Sequence, residues 1–301
     1  MKKLARTIGI VVIALVVLAA IAFGTVYSIT ESKRNAKITV DVKSVLVPTD
    51  EASLTEGKRL VSMRGCADCH GEDYAGFTIV DEAPIGTYTG ANLTGGQGSA
   101  TAQYQDIDWV RSIRYGISPA GRPLIFMPST DFTGISDEDL GKMIAYLKTL
   151  PKVDREQKPI VIGPLARVLA MTGKMPILFS HEHVNRDLEI AASVKPEANA
   201  EYGRYLAQGC TGCHGEHFSG GPVPGVPPSW PLAANLTASG KVNAYTLEQF
   251  TKVLREGVTP EGRQLNSQYM PWKAMAHMND TEIVALYEFV KQLPAREAGT
   301  H

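Results

Sequence analysis

Cys-x-x-Cys-His occurs twice in this chain, as Cys66-Ala67-Asp68-Cys69-His70 and Cys210-Thr211-Gly212-Cys213-His214. The sequence contains no other cysteine, so none remains for a disulfide or a separate thiolate site. The motif is the attachment signature of c-type haem. Two thiols three residues apart on a helical turn share one face, each within reach of one haem vinyl group. The adjacent histidine then turns its imidazole toward the iron. A single match would also suit half a zinc ribbon or a redox dithiol. Two matches that use every cysteine, each followed at nearly equal distance by Met-Pro, predict two covalently bound haems c.

The rest of the chain repeats with the motif. His70 to Met127 is 57 residues and His214 to Met270 is 56. Asn92-Leu93-Thr94 and Asn235-Leu236-Thr237 follow the two histidines by 22 and 21 residues. The run Arg114–Arg122 aligns with Arg255–Arg263 without a gap, and Leu147–Pro151 aligns with Val290–Pro294. A period near 143 residues is too long for a solenoid unit, and it implies two copies of one domain. The length of 301 residues accommodates two such domains plus an anchor and a linker.

The amino terminus bears on the compartment. Lys2, Lys3 and Arg6 precede an uncharged run from Thr7 to Thr30. As a helix that run is roughly 35 Å long, enough to cross a bilayer. Ala20-Ile21-Ala22 resembles a signal-peptide cleavage site. The apolar run nevertheless continues through Phe23, Val26, Tyr27 and Ile29, which favours an uncleaved anchor with Tyr27 at the interface. Three of the 30 basic residues and none of the 31 acidic ones lie in the first 30 positions, so the remainder carries about −4. That is no electrostatic footprint for nucleic acid. Haem attachment requires export, which places the globular part on the periplasmic, outer side of the cytoplasmic membrane.

The coarse order of elements is helical. Residues 52–65 have helix-forming composition and lead into the first motif. Tyr74–Gly98 is rich in glycine and reads as a long loop. Asp106–Tyr115 carries Trp109, Val110 and Ile113 at helical spacing. Ser136-x-x-Asp139 and Asn279-x-x-Glu282 are helix start signals, each followed by one apolar face and a terminating proline, Pro151 or Pro294. The expected organisation is a transmembrane anchor over residues 1–30, a polar stalk over 31–50, and a haem domain over 51–151. An apolar linker over 152–196 and a second haem domain over 197–301 complete it. Arg167, Lys174 and internal prolines argue against a second span in the linker. Its apolar character leaves a haem face, the groove between domains, or the bilayer as the surface it would cover.

On these motifs each half resembles a class I cytochrome c domain. The tandem pair is similar to membrane-anchored dihaem cytochromes c and, more distantly, to the cytochrome subunits of membrane-bound alcohol and gluconate dehydrogenases. The resemblance covers roughly residues 52–151 and 197–294. It implies an all-α fold, with an N-terminal transmembrane helix followed by two tandem cytochrome c-like domains.

The site residues follow from the motifs. Cys66, Cys69, Cys210 and Cys213 are the expected covalent attachments, and His70 and His214 the proximal iron ligands. Met127 and Met270, each before a proline at the same repeat position, are the expected sixth ligands. A thioether raises the reduction potential and, opposite histidine, fills the coordination sphere. Most of the nine methionines should be packing residues. Met143 and Met171 suit that reading, while Met275, His277 and Met278 are local rivals of Met270. His181-x-His183 is a weak metal pattern without further ligands. Arg122 and Arg263 are candidates for a haem propionate.

The function these features indicate is electron transfer, not catalysis, with redox proteins as partners: a membrane dehydrogenase, a quinol-oxidising complex, a terminal oxidase or a soluble carrier. The alternative is a dihaem peroxidase or oxidase with one open iron, which the paired Met-Pro runs disfavour.

Overall fold

The computed structural model describes residues 2–300. Met1 and His301, the outermost residues of the expected anchor and second domain, lie outside the described residues. In chain order the elements are α1 (Lys2–Arg34), α2 (Glu51–Met63), α3 (Cys66–His70), β1 (Thr78–Glu82), β2 (Gly86–Thr89), α4 (Asp106–Tyr115) and α5 (Asp137–Leu147). The linker contributes β3 (Val161–Ile162) and α6 (Pro164–Met171). The second half contributes α7 (Ala200–Ala207), α8 (Thr211–His214), α9 (Leu247–Glu256), α10 (Trp272–Met275) and α11 (Asp280–Lys291).

α1 is one unbroken helix of 33 residues, with a mean hydropathy of 2.8 in its apolar window and none of that window covered by protein. It is long and apolar enough to cross a bilayer. Lys33 and Arg34 close its last turn, where cations suit the helix dipole.

Both haem-motif halves are built on a close crossing of two helices. Asp50 caps α2 by accepting from the Ser53 amide, and α2 then packs along α5. The equivalent pair in the second half is α7 on α11. Glycine sets the approach. A Cβ at Gly57 would lie 2.0 Å from the Lys142 carbonyl oxygen, and one at Gly203 would lie 2.0 Å from that of Ala285. Any side chain there would force the helices apart. The crossing buries Leu60, Val61, Met63, Leu140, Met143, Ile144 and Leu147 in one half, and Tyr202, Leu206, Ile283, Leu286, Phe289 and Val290 in the other. These side chains form one continuous core across both halves.

The core is locked by polar pairs that obey the internal repeat. Arg59 on α2 reaches across to α11 and grips Glu282 with two nitrogens, at 2.7 and 2.8 Å. Glu282 is fully buried. Tyr205 on α7 reaches the other way and donates to Asp139 at 2.6 Å. Asp139 and Glu282 stand at equivalent places, each at the third position of its helix, so the halves clasp each other in pseudo-two-fold fashion. The helix start signals differ accordingly. Asn279 and Glu282 form a complete capping box. Ser136 accepts from the Asp139 amide at 3.2 Å, while the Asp139 carboxylate faces Tyr205. Burial raises the Asp139 carboxyl above the usual aspartate range.

Two segments depart from the sequence expectations. The glycine-rich stretch 74–98 is not all loop. It contains the antiparallel hairpin β1–β2, extended by β3 from the linker into a three-stranded sheet of order β1-β2-β3. The β-branched and aromatic residues Thr78, Ile79, Val80, Thr87 and Tyr88 favour strands, and the surrounding glycines masked them. The stretch 31–50 is not a free stalk either. After α1 ends it runs extended along the first half, where Ile38 donates to the Gly121 carbonyl at 2.8 Å. Val42, Val45 and Val47 pack on the core.

The linker has a core of its own. Tyr88, Ile162, Ala166, Met175, Leu178 and Phe179 are buried together, with Ile125 and Phe126 packed against them. Tyr88 and Phe126 stack with ring centres 4.6 Å apart. The linker therefore seats the segment that carries Met127. It also grips the end of α1. Arg167 donates to Thr30 at 2.5 Å and to Glu31 at 2.6 Å, and Lys33 pairs with Glu182 at 2.7 Å.

Candidate haem sites

The first Cys-x-x-Cys-His motif forms α3 and the second a 3-10 turn ending at Cys210 that runs into α8, each closed by a glycine with positive φ, Gly71 or Gly215. A tight turn follows. The amide of Gly76 donates to the His70 carbonyl at 2.7 Å, and that of Gly220 to the His214 carbonyl at 2.9 Å. Tyr74 and Phe218, four residues after each histidine, both adopt a left-handed conformation, with φ of 55° and 58°. Glycine is required at Gly76, where a Cβ would meet the Gly90 carbonyl at 2.3 Å.

Each histidine ring is held by one carbonyl. His70 Nδ1 lies 2.8 Å from the Ala91 oxygen, and His214 Nδ1 lies 2.7 Å from the Ala234 oxygen. A carbonyl only accepts, so Nδ1 carries the proton and Nε2 keeps its lone pair. That is the tautomer a metal-ligating histidine needs, with the outer contact fixing ring orientation. Burial lowers both imidazoles below their usual range, which keeps them neutral.

The Asn-Leu-Thr runs explain how those carbonyls are placed. Asn92, fully buried, follows Ala91 directly; its Nδ2 donates to the Val153 carbonyl at 2.8 Å. Its Oδ1 accepts from the Thr94 amide and hydroxyl at 2.9 and 2.8 Å. Asn235 does the same for Ala234, donating to the Arg296 carbonyl at 2.9 Å and accepting twice from Thr237 at 2.9 and 2.7 Å. Each run thus staples the loop bearing the histidine's acceptor to the strand that leaves the terminal helix. Asn92→Ala should lower stability by about 1–3 kcal/mol, the cost of a buried hydrogen-bonding group left unpaired, and should broaden the haem spectrum of the first half. Denaturant titration beside the optical spectrum tests this; an unchanged midpoint and spectrum would remove Asn92 from the support of His70.

All four cysteines are half-buried, and none is paired in a disulfide. Burial pushes Cys66 up to about 12 and Cys69 and Cys210 up to about 11, and raises Cys213 as well. These are not activated redox thiolates. Among the described residues no cluster of three or more His, Cys, Asp or Glu side chains suits a metal ion. Paired neutral thiols beside a histidine with a free Nε2, in an apolar core, fit a covalently attached haem.

The methionines separate by environment. Met127 and Met270 are half-buried against the core in equivalent loops. Phe126, just before Met127, has φ of 66°, and its ring is held by Tyr88. Met278 is buried at the position that Ile135 takes in the first half, so it packs as a core residue there. Met275 is half-buried at the end of α10, five residues after Met270, and His277 is exposed. Met143 is core, and Met171 is exposed on α6. The arginine candidates are both exposed, and Arg122 donates to Asn35 at 2.8 Å. A different arginine pair is structural: Arg114 donates to the Ile135 carbonyl at 2.7 Å and pairs with Asp137, while Arg255 pairs with Asp280. They tie α4 and α9 to the starts of the terminal helices α5 and α11.

Sequence reasoning missed how the halves meet. The segment after each methionine lies against the other half's cysteine motif. A Cβ at Gly212 would lie 3.3 Å from the Asp131 carboxylate, and one at Gly65 would lie 3.8 Å from Ala274. Asp131 and Ala274 each stand four residues after their methionine. Arg64 sits between the motifs, its charge acting on Cys66 and Cys210 and its guanidinium 5.7 Å from the Tyr205 ring centre. Burial raises the Asp131 carboxyl to about 6, with Thr130 and Arg64 pulling it back. His181, from the linker, is also buried beside this region with Nδ1 unpartnered, and the neighbouring Ser180 hydroxyl accepts from the Thr130 amide at 3.3 Å. No local pattern could have revealed these contacts, because each joins segments far apart in sequence.

Duplicated helical units, each with a Cys-x-x-Cys-His turn and a methionine-bearing loop, define a cytochrome c architecture. The chain belongs to the cytochrome c family, whose profile matches residues 54–151 and 200–294. Membership implies covalently bound haem c. The chain is similar to the gluconate 2-dehydrogenase cytochrome c subunit of Pantoea cypripedii, 23% identical over 83% of this chain and 62% of that protein. It is also similar to the cytochrome c subunit of the quinone alcohol dehydrogenase of Gluconobacter oxydans, 30% identical over 39% of this chain and 26% of that protein. The fructose dehydrogenase cytochrome subunit of Gluconobacter japonicus is 30% identical over 33% of this chain and 22% of its own length. The chain thus spans less than two-thirds of each of these relatives.

Proposed function

We propose that this chain is a two-haem electron relay held at the outer face of the cytoplasmic membrane by a single span, α1. The domain division would follow residues 51–151 and 197–301, with 152–196 as a packed connector between them. Cys66 and Cys69 would hold one haem and Cys210 and Cys213 the other. His70 and Met127 would ligate the first iron, His214 and Met270 the second. When bound, each haem supplies a one-electron ferric–ferrous couple.

The observation that carries this reading is the duplication of the histidine support: Nδ1 on a carbonyl that an asparagine pins in place, repeated in both halves. Ala91 and Ala234 fix the imidazoles, and the thioethers are offered from loops seated on the core. The two halves share one apolar core, which would hold the two motifs at one spacing, so that an electron could pass between bound haems without domain motion. Cytochrome c subunits of a gluconate 2-dehydrogenase and a quinone alcohol dehydrogenase are among the similar proteins. By that likeness the donor is a membrane-associated dehydrogenase and the acceptor a quinone, a terminal oxidase or a soluble carrier.

Two measurements test the reading together. Pyridine haemochrome analysis of purified full-length protein should give two haems c per chain, retained through acid–acetone extraction. Stopped-flow mixing of the reduced protein should show rapid oxidation by a foreign redox protein and slow oxidation by peroxide. A ratio of one haem per chain sinks the two-haem assignment. Fast multi-turnover peroxide reduction, with both methionines still bound, would replace the relay by the peroxidase alternative.

A further inference from the structure

The linker covers more than the Met127 segment. One face of α6 remains bare. Leu165, Val168 and Met171 recur every third residue and are 41%, 40% and 36% exposed. Val161, just before the helix, is 54% exposed. The opposite face is closed, with Ala166 and Arg167 buried toward the sheet and α1. Exposed apolar side chains scattered singly need no explanation, but three aligned on one turn-and-a-half of helix do.

Their position identifies the cover. Arg167, on the buried face of the same helix, sits with its guanidinium carbon 4.2 Å from the Tyr27 ring centre. It donates to Thr30 at 2.5 Å and to Glu31 at 2.6 Å. Tyr27 to Thr30 is the last turn of the uncharged run of α1 and Glu31 is the first charge beyond it, a rise of about 6 Å from Tyr27. α6 is therefore held against the level at which α1 would leave the hydrocarbon core. Lys174, exposed beyond the end of α6, can extend toward headgroups while its stem stays apolar.

We propose that α6 is an interfacial foot, its Leu165–Val168–Met171 face embedded in the outer leaflet of the membrane that α1 crosses. The assignment rests on the membrane-spanning reading of α1. It has a functional consequence. The body that carries α6 also seats Phe126, next to Met127, so the first haem domain is the membrane-proximal one. Electrons from or to a lipid-soluble or membrane-embedded partner enter or leave there, and the second domain serves the partner on the aqueous side.

The test uses full-length, haem-loaded protein in phosphatidylcholine–phosphatidylglycerol liposomes. p-Benzoylphenylalanine is placed singly at Leu165, Val168 and Met171, at Val17 within α1, and at Leu188 and Leu232 as exposed apolar controls. Lipid adducts after irradiation are counted by mass spectrometry. Adducts at Val17 and at two or more of the α6 positions, about tenfold above Leu188 and Leu232, are the expected result for an embedded apolar face. Adducts at Val17 with only control levels on α6 overturn the foot while leaving the span intact. Control levels at Val17 and on α6 alike overturn the span reading and the foot with it. Using three α6 positions guards against one variant that fails to load haem.

Discussion

Glu282→Ala is expected to destabilise the folded chain by about 3–5 kcal/mol, the range found when one partner of a buried ion pair is removed. Glu282 is fully buried at the start of α11, and it accepts from Arg59, Tyr202 and the Asn279 amide. Truncation leaves the Arg59 guanidinium in the interface with only Glu56 and the His277 carbonyl as oxygen partners. It also removes half of a capping box. In the native chain Glu56 first and Glu282 after it raise Arg59 above the ordinary arginine range; without Glu282 the guanidinium still stays charged, because arginine does not lose its proton in proteins. The double replacement Arg59→Met with Glu282→Met should recover most of the loss, because a well-packed apolar pair avoids desolvating two charges. Equilibrium denaturation of the haem-loaded protein measures both. A Glu282→Ala midpoint equal to wild type would mean that the clasp does not hold the halves together. Its loss should also slow electron exchange between haems, since the fixed spacing depends on it.

Met127→His and Met270→His are expected to produce the largest functional change. Imidazole stabilises ferric iron relative to thioether, so each substitution should lower the potential of its own haem by on the order of a hundred millivolts, within the ~0.8 V span that axial ligation covers. Redox titration should show one couple moving in each variant, with the methionine–iron charge-transfer band halved. The surroundings sharpen the outcome. In the second half Met278 occupies a core position, which leaves half-buried Met275 as the rival. An unmoved couple in Met270→His, with the band intact, would assign Met275 as the ligand. In the first half the rival is buried His181, which the linker brings beside the Met127 loop. An unmoved couple in Met127→His, without a first-haem methionine band in wild type, would assign His181.

The local part of each candidate haem site was legible in the sequence because it rests on short spacings. Cys-x-x-Cys-His works through spacing on one helical turn, and the structure forms α3 over the first motif and a 3-10 turn leading into α8 over the second. The helix starts at Ser136 and Asn279 were readable for the same reason, since a cap and the amide it serves lie three residues apart. Asn92 and Asn235 were recognisable as a repeated feature, but their role was not. Their partners, Val153 and Arg296, lie 61 residues downstream in each half. The apolar run that becomes α1 was visible from composition and length, whereas the β1–β2 hairpin was hidden among glycines whose purpose is close backbone approach.

The sequence by itself determined the duplicated haem domain, its helical order, the candidate ligands and the membrane-length helix, because each rests on residue type at short, regular intervals. Only the tertiary structure decided how the copies face one another. The Arg59–Glu282 pair spans 223 residues, and Arg167 reaches Thr30 across 137. Such contacts depend on the shapes of packed surfaces rather than on any local pattern. The same physics turned an apolar, proline-broken linker into a small core of its own, because Tyr88 from the first domain and Phe179 from the linker bury apolar area only when brought together.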